Sequence, residues 1–204
     1  MAISFNPLNT TNFSGSFVSS SQGGVQGTTT DDPVNRFKLS GGVVDSSETY
    51  PMWGGIAVTA DIAANPLLAA GMLGQTLSRA TTYSTIGTGI NGFTVFDQNY
   101  SAISTASSPV PMVNQGDTIN YVRMGSGVRL WLAIDSALAT LYGSAIDSQV
   151  SWDFTNQQII AFDTTALDVK ILDIQVGNSK TVSYNTSTGL ATWSETGSVA
   201  LVEI

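Results

Sequence analysis

From about residue 54 onward the apolar positions of this chain mostly alternate with polar ones, the period of a half-buried strand. "GGIAVTADI" (54–62) alternates from Ile56 to Ile62, and beyond residue 90 the pattern is almost wholly of this kind. "GFTVFD" predicts a strand, and "SSPVPMV" predicts extended edge chain, because its two prolines forbid a helix. Residues 119–134, "INYVRMGSGVRLWLAI", predict a hairpin with Gly125-Ser126 as a type II′ turn. That pairing places Ile119, Tyr121, Val128, Leu130, Leu132 and Ile134 on a core face. It places Asn120, Val122, Arg129 and Trp131 on the opposite face, which mixes an aromatic ring and a cation as a contact surface does.

Further along, "QVSWDF" and "QQIIAFD" predict a second hairpin around Thr155-Asn156. "KTVSYN" and "LATWSE" predict a third, closed by "TSTG". "LDVKILDIQVG" alternates, and "SVALVEI" reads as a final strand. Helix signals are few. "DDPVNRFKLSGG" (31–42) has Asp32 as a cap, Pro33 at the first helical position and Gly41 as a stop. "NPLLAAGMLGQTLSRA" (65–80) is a second candidate, weakened by Gly71 and Gly74. "SALATLYGS" reads as a loop or a helical turn. Short strands separated by turn signals predict a mostly-β domain, a β-sandwich or a barrel-like fold, with one or two short helices. That domain is expected over 33–204, with a subdivision near 90–105. Residues 1–32 have no sustained period, only Phe5, Phe13 and Phe17 set in Ser, Thr, Asn, Gln and Gly, and predict an extended N-terminal arm with aromatic anchors.

Composition narrows what such a domain does. Of 204 residues, 42% are hydrophobic and only 11% charged, against roughly 25% in an ordinary soluble domain. Solubility then rests on uncharged polar residues, or part of the surface is covered by partners. The net charge of −8, with seven scattered cations, argues against nucleic acid and against an anionic membrane surface. The first residues lack the pattern of a signal peptide, and "PLLAAGMLG" is too short to span a bilayer.

The chain has neither Cys nor His. Disulfides, thiolate or imidazole metal sites, and catalytic dyads or triads built on either residue are therefore excluded within it. "GTGING" (87–92) matches a dinucleotide-binding fingerprint in letters, but "FTVFD" follows it where a helix is required, so its glycines read as turn residues. Asp153, Asp163, Asp168 and Asp173 are the carboxylates from which an acid–base pair would be drawn. Their odd spacing puts neighbours on opposite faces of an extended chain, so solvated turn residues are the simpler reading. Trp53, Trp131, Trp152 and Trp193 have the rings to stack on a sugar, although tryptophans at strand spacing are more often core. Asn9, Asn12 and Asn185 head glycosylation triplets that matter only in a secreted eukaryotic chain. No catalytic, cofactor or metal site is expected.

"DDPVNRFKLSGGVV", "YPMWGG", "GFTVFDQ", "SSPVPMV", "RMGSGVRLWL", "QVSWDF" and "LDIQVGNSKTVSY", taken in order, resemble the cement or decoration proteins of tailed-bacteriophage heads. The resemblance runs from about residue 31 to the C-terminus and rests on order and composition. It implies a non-enzymatic virion protein on the capsid exterior, made in the host cytoplasm. Its implied partners are the major capsid protein and copies of itself, as a dimer or trimer. Expected contact residues are Phe5, Phe13 and Phe17 in the arm, and Val122, Arg129 and Trp131 on the mixed face. The rival readings are a tail or baseplate component and a carbohydrate-binding or acid-hydrolase β module using Trp131 or Trp152 with Asp153 or Asp163.

Overall fold

The computed structural model describes residues 23–30, 33–62, 75–83, 89–96, 103–140 and 146–204. A 3-10 helix, Pro33–Lys38, leads into β1 (Leu39–Val44), β2 (Ala57–Ile62), β3 (Gln75–Arg79), β4 (Gly92–Val95) and β5 (Thr118–Arg123). These five strands close into a barrel in the order β1-β3-β2-β4-β5, with β1 and β3 parallel and every other pair antiparallel. The described residues beyond it form β6 (Arg129–Ala133), the short helix α1 (Ser136–Thr140), β7 (Val150–Asp153), β8 (Gln158–Ala161), β9 (Lys170–Asn185) and β10 (Leu190–Glu203). β6, β10 and β9 make a three-stranded sheet in that order, and β7 with β8 makes a separate hairpin. Among the described residues no helix is long and apolar enough to cross a membrane. The fold is mostly β, as the alternation predicts, and its core unit is a barrel.

Alternation along the barrel strands sorts side chains onto two surfaces. Val44, Val58, Leu77, Ile119 and Tyr121 belong to a core inside the barrel, capped by Met52, Trp53, Ile56, Phe96, Val110 and Val113. Gly42 lies on this inner face because a Cβ there would stand 2.5 Å from the Leu77 side chain. The outer face carries Ala57, Phe93, Val95 and Val122, and these join a second core with Leu130, Leu132, Trp152, Ile171, Ile174, Ala200 and Val202. β4 is therefore buried along its whole length, since both of its faces are covered.

The hairpin expected over 119–134 does not form. β5 is flanked by β1 and β4 in the closed barrel, so both of its hydrogen-bonding edges are occupied. Gly125 and Gly127, at φ 75° and 67°, carry the chain away from the barrel instead, and β6 pairs with β10. The consequence for Val122 is direct: it points out of the barrel, but into the second core, and is fully buried. It is not a contact residue. The helix candidate 65–80 is also corrected where it is described: 75–79 is β3, held on one side by β1 and on the other by β2. Residues 63–74 lie outside the described residues. The first helix ends at Lys38, and Gly41 and Gly42 sit inside β1 rather than stopping a helix.

The two later hairpins form as expected, the second around residues 154–157 and the third around 186–189. The third is longer than its turn signals suggest. "LDVKILDIQVG" runs unbroken into "KTVSYN", and "LATWSE" into "SVALVEI", giving strands of 16 and 14 residues. Register shifts between Ser194 and Gly197, and between Gly197 and Val199, with Gly177 at φ 78° opposite, bend this long hairpin at its middle. Its near half lies in the sheet with β6. Its far half brings Val182, Tyr184, Ala191 and Trp193 onto the barrel cap, where Trp53 meets Tyr184 at 5.2 Å and Phe96 meets Trp193 at 5.5 Å between ring centroids.

Phe93 tests the seam between barrel and sheet. It is fully buried on the outer barrel wall, edge-on to Trp152 at 5.0 Å. Phe93→Ala should cost about 3–5 kcal/mol, read as a lower urea midpoint with an unchanged slope. A cost near zero would mean the two units do not share that core.

Candidate contact surface

One face of the β6-β10-β9 sheet belongs to the second core. The other carries Trp131, Leu201 and Asp173 in one cross-strand row, and Ala133, Val199 and Gln175 in the next. This is the mixed face expected to meet a partner. The chain covers much of it itself. Residues 23–30, the only described part of the expected arm, lie against both outer strands of the sheet and are hydrogen-bonded into it. Gly23 N–H donates to Asn178 O at 2.7 Å, Lys180 N–H to Gly24 O at 3.0 Å, and Gln26 N–H to Lys180 O at 2.9 Å. The segment then crosses to β6, where Gly27 N–H donates to Trp131 O at 2.8 Å, Trp131 N–H to Thr28 O at 3.0 Å, and Thr30 N–H to Arg129 O at 3.1 Å. Two side-chain amides complete the seat. Gly24 N–H donates to Gln175 Oε1 at 2.6 Å, and Val182 N–H donates to Gln26 Oε1 at 2.9 Å.

Glycine makes this approach possible. A Cβ on Gly24 would stand 2.3 Å from the Trp131 ring, and one on Gly23 would stand 2.2 Å from Ser179 Oγ. Gly27 adopts φ 75° and sits against the backbone of Gly54. The same glycines that make "QGGVQGTTT" read as loose chain are what let it lie flat. Residues 23–30 are thus a strap, not part of a free arm. Phe5, Phe13 and Phe17, with Asp31 and Asp32, lie outside the described residues.

Of the three expected contact residues that are described, two share a surface. Arg129 and Trp131 are on the same face of β6, whereas Val122 is in the core. Arg129 is exposed and pairs with Glu203, directly opposite on β10, at 3.1 Å. An exposed pair of this sort adds at most about 1 kcal/mol. Trp131 is half-buried, with Gly24 against its ring.

The residues singled out for sugar or acid chemistry are placed differently. Trp152 is buried and packed in a T-shaped contact with Phe93, so its faces are not offered to solvent. Asp153 closes the β7–β8 turn. Its Oδ1 accepts from Thr155 N–H at 2.8 Å and from Asn156 N–H at 3.1 Å, and its Oδ2 accepts from the Asn156 amide at 2.6 Å. Partial burial is the largest single influence on this carboxyl and pushes its pKa up, but the hydrogen bonds from Asn156 and Thr155 together outweigh it and hold the pKa below the usual aspartate range. Asp163 and Asp168 are exposed between β8 and β9, and Asp173 accepts from Gln175 at 3.2 Å. Asn185, head of one glycosylation triplet, accepts from Ser187 and Thr188 N–H and shapes the hairpin turn. Gly92, last of the "GTGING" glycines, opens β4 and not a helix. Among the described residues no group of three or more Asp or Glu is arranged to hold a metal ion.

Among the described residues, Glu48 pairs with Arg79, Glu203 with Arg129, Asp147 with Lys170 and Glu195 with Lys180. Two of these cations are drawn into the fold. Lys180 is almost wholly buried, with Glu195 at 3.0 Å reaching it from the surface. Arg79 lies 4.9 Å above the Trp53 ring; burial pulls its pKa down, and the nearby Glu48 works in the opposite sense.

Two predictions follow the strap and the turn. Gly24→Ala should destabilise by about 1–3 kcal/mol through overpacking on Trp131. Gly41→Ala, whose Cβ would meet only ordinary contacts at 3.5 Å, should be tolerated; equal melting temperatures for the two variants would rule out the strap. For Asp153, a lowered folded pKa gives a stabilisation that is complete above the unfolded value and is lost as pH falls through the folded one. Asp153→Asn should therefore flatten the acid limb of a stability–pH curve below the ordinary aspartate range and leave its shape near neutrality unchanged. No family model matches this chain, and no curated protein or solved structure matches it either.

Proposed function

We propose that this chain is a non-enzymatic structural protein of a tailed-phage virion that binds the outside of the capsid and stabilises the shell. The observation that supports the reading best is the seating of residues 23–30. Six main-chain hydrogen bonds fix this strap across β9 and β6, so whatever precedes it is tied to a sheet rather than hung from a frayed end. Residues 1–22 are a Ser, Thr and Gly sequence carrying Phe5, Phe13 and Phe17. At ~3.3–3.6 Å per residue, such a stretch spans at most about 80 Å. An arm of that reach, anchored by a ladder, suits a protein that joins neighbouring capsomers.

Lattice binding also suits the composition. A shell presents identical sites at fixed spacing, so an oligomer of modest binders gains about 10²–10⁴ in avidity without new contacts. The 11% charge is low for a surface left wholly in water, and it fits one that is partly covered. The partners in this reading are the major capsid protein and other copies of the chain, with Trp131 beside Gly24 near the point where the arm departs and Arg129 on the same face at the strap's other end. Labelling of purified virions separates this reading from a tail or baseplate role, because label confined to the tail would reject it.

The strap sets where the deletion must stop. Removing residues 1–22 should leave the melting temperature unchanged and abolish co-sedimentation with expanded capsids. Removing residues 1–30 should lower the melting temperature as well, since it uncovers Trp131. Undiminished co-sedimentation of the shorter deletion would sink the arm's role.

A further inference from the structure

A cleft of about 280 Å³ opens where every unit of the fold meets. The strap contributes Gln26, the barrel cap Trp53, the β7–β8 hairpin Gln158, the long hairpin Thr181 and Ser198, and the start of α1 Ser136 at the rim. Its other lining residues add no Asp, Glu, Lys or Arg. The wall is therefore made mainly of amides and hydroxyls, with apolar patches at Trp53, Ala133, Ile134 and Val182.

Two of the polar groups are not consumed by the fold. Gln26 is only 3% exposed, and its Oε1 is engaged by Val182 N–H, but its Nε2 donates to nothing among the described residues. Thr181 Oγ1 likewise makes no hydrogen bond among them, and Gln158 Nε2 has only a long 3.4 Å contact with Asp135. Both groups are open to solvent rather than sealed in the fold, so water or a ligand can supply their partners. These donors stand in a site whose position is rigid, because Gln26 Oε1 ties the strap to β9. Gln157 ties the hairpin to the barrel in the same way, accepting from Ala57 N–H at 3.0 Å and donating to Phe154 O at 2.7 Å.

We infer that this cleft binds a neutral, polyhydroxylated ring: a single sugar residue, either free or at the end of a glycan. Lack of charge in the wall disfavours phosphates, carboxylates and amines. The predominance of polar groups in the wall disfavours lipids, and the Trp53 ring offers a face on which a sugar ring can lie. Amides and hydroxyls both donate and accept, as ligand hydroxyls do, so the two sets match without either being left unpaired. The volume falls just under the ~300–1,000 Å³ of pockets for drug-sized ligands, which leaves room for one ring and not for a chain of them. This site is separate from the Trp152 and Asp153 pair that the sequence suggests for sugar binding, and it does not depend on the virion reading.

The test is a titration of the full chain with a panel of neutral monosaccharides and, in parallel, their uronic-acid counterparts, followed by saturation-transfer NMR. At least one neutral sugar should bind with a Kd on the order of 1 mM, and the uronic acids should bind tenfold more weakly or not at all. Ser136→Trp, which plugs the rim without removing a hydrogen bond, should abolish binding while the melting temperature holds. Thr181→Val should weaken it severalfold and serves as the second variant if the first perturbs folding. A glycan array separates the two sources: signal on glycans with that sugar at the end assigns a glycan terminus, and a silent array assigns the free sugar. No binding of any neutral sugar, or binding that both variants leave intact, would overturn the inference.

Discussion

The β9–β10 hairpin is the constraint on which the rest of the molecule depends. Its strands, 16 and 14 residues long, extend about 50 Å and 45 Å at ~3.3 Å per residue. Its two halves lie in different hydrophobic cores, so it joins them along its length. Ile171, Ile174, Ala200 and Val202 anchor one half to β6 and the outer barrel wall, and Ala191 with Trp193 anchors the other half to the barrel cap. The far half is also clamped by a hydroxyl: Ala191 N–H donates to Ser108 Oγ at 3.0 Å, and that hydroxyl donates back to Ala191 O at 3.1 Å. Closing a five-stranded barrel leaves an outer face with Ala57, Phe93, Val95 and Val122 that must be covered, and the sheet built on this hairpin covers it.

A sheet used this way has two faces and only one barrel to lie on. Its second face is where a partner would be expected, and the chain supplies part of that cover from residues 23–30. Because the strap is glycine-rich, its hold comes from the backbone: six main-chain hydrogen bonds, two amide side chains, and a flat approach to Trp131. Such a contact adds little apolar burial for its length, but it positions the departing chain firmly. That distinction matters for the virion reading, which needs a fixed anchor more than it needs a large interface.

Polar side chains do much of the joining that apolar ones do elsewhere. Gln26, Gln157, Ser108 and Thr94 are each buried and each satisfies a backbone group from a distant part of the chain. With 11% charged residues the fold has few ion pairs to spend on such links. Amides and hydroxyls are well suited to them, because a buried neutral group carries a smaller desolvation cost than a charge. The cleft lined by Gln26, Gln158, Thr181 and Ser198 is a by-product of this way of building, at the point where the links converge.

Local pattern determined a good deal here. The alternation in "GFTVFD", "QVSWDF", "KTVSYN" and "SVALVEI" gives strands where strands are found, and Asp153 and Asn185 mark turns because their carboxylate and amide accept the backbone N–H groups just ahead. The absence of Cys and His settles which metal ligands and nucleophiles the chain lacks. The pairing of residues 119–134, by contrast, was decided only in three dimensions. Ile119 to Ile134 looks like a hairpin because its two halves are adjacent in sequence, yet barrel closure takes both edges of β5 and sends β6 to a strand some 70 residues away. Val122 then changes from a surface residue to a core one without any change in its own pattern. The strap is the same lesson in glycine: a residue with no side chain is compatible with loose chain and with the closest packing alike, and only the presence of Trp131 and Ser179 beneath Gly24 and Gly23 selects between them.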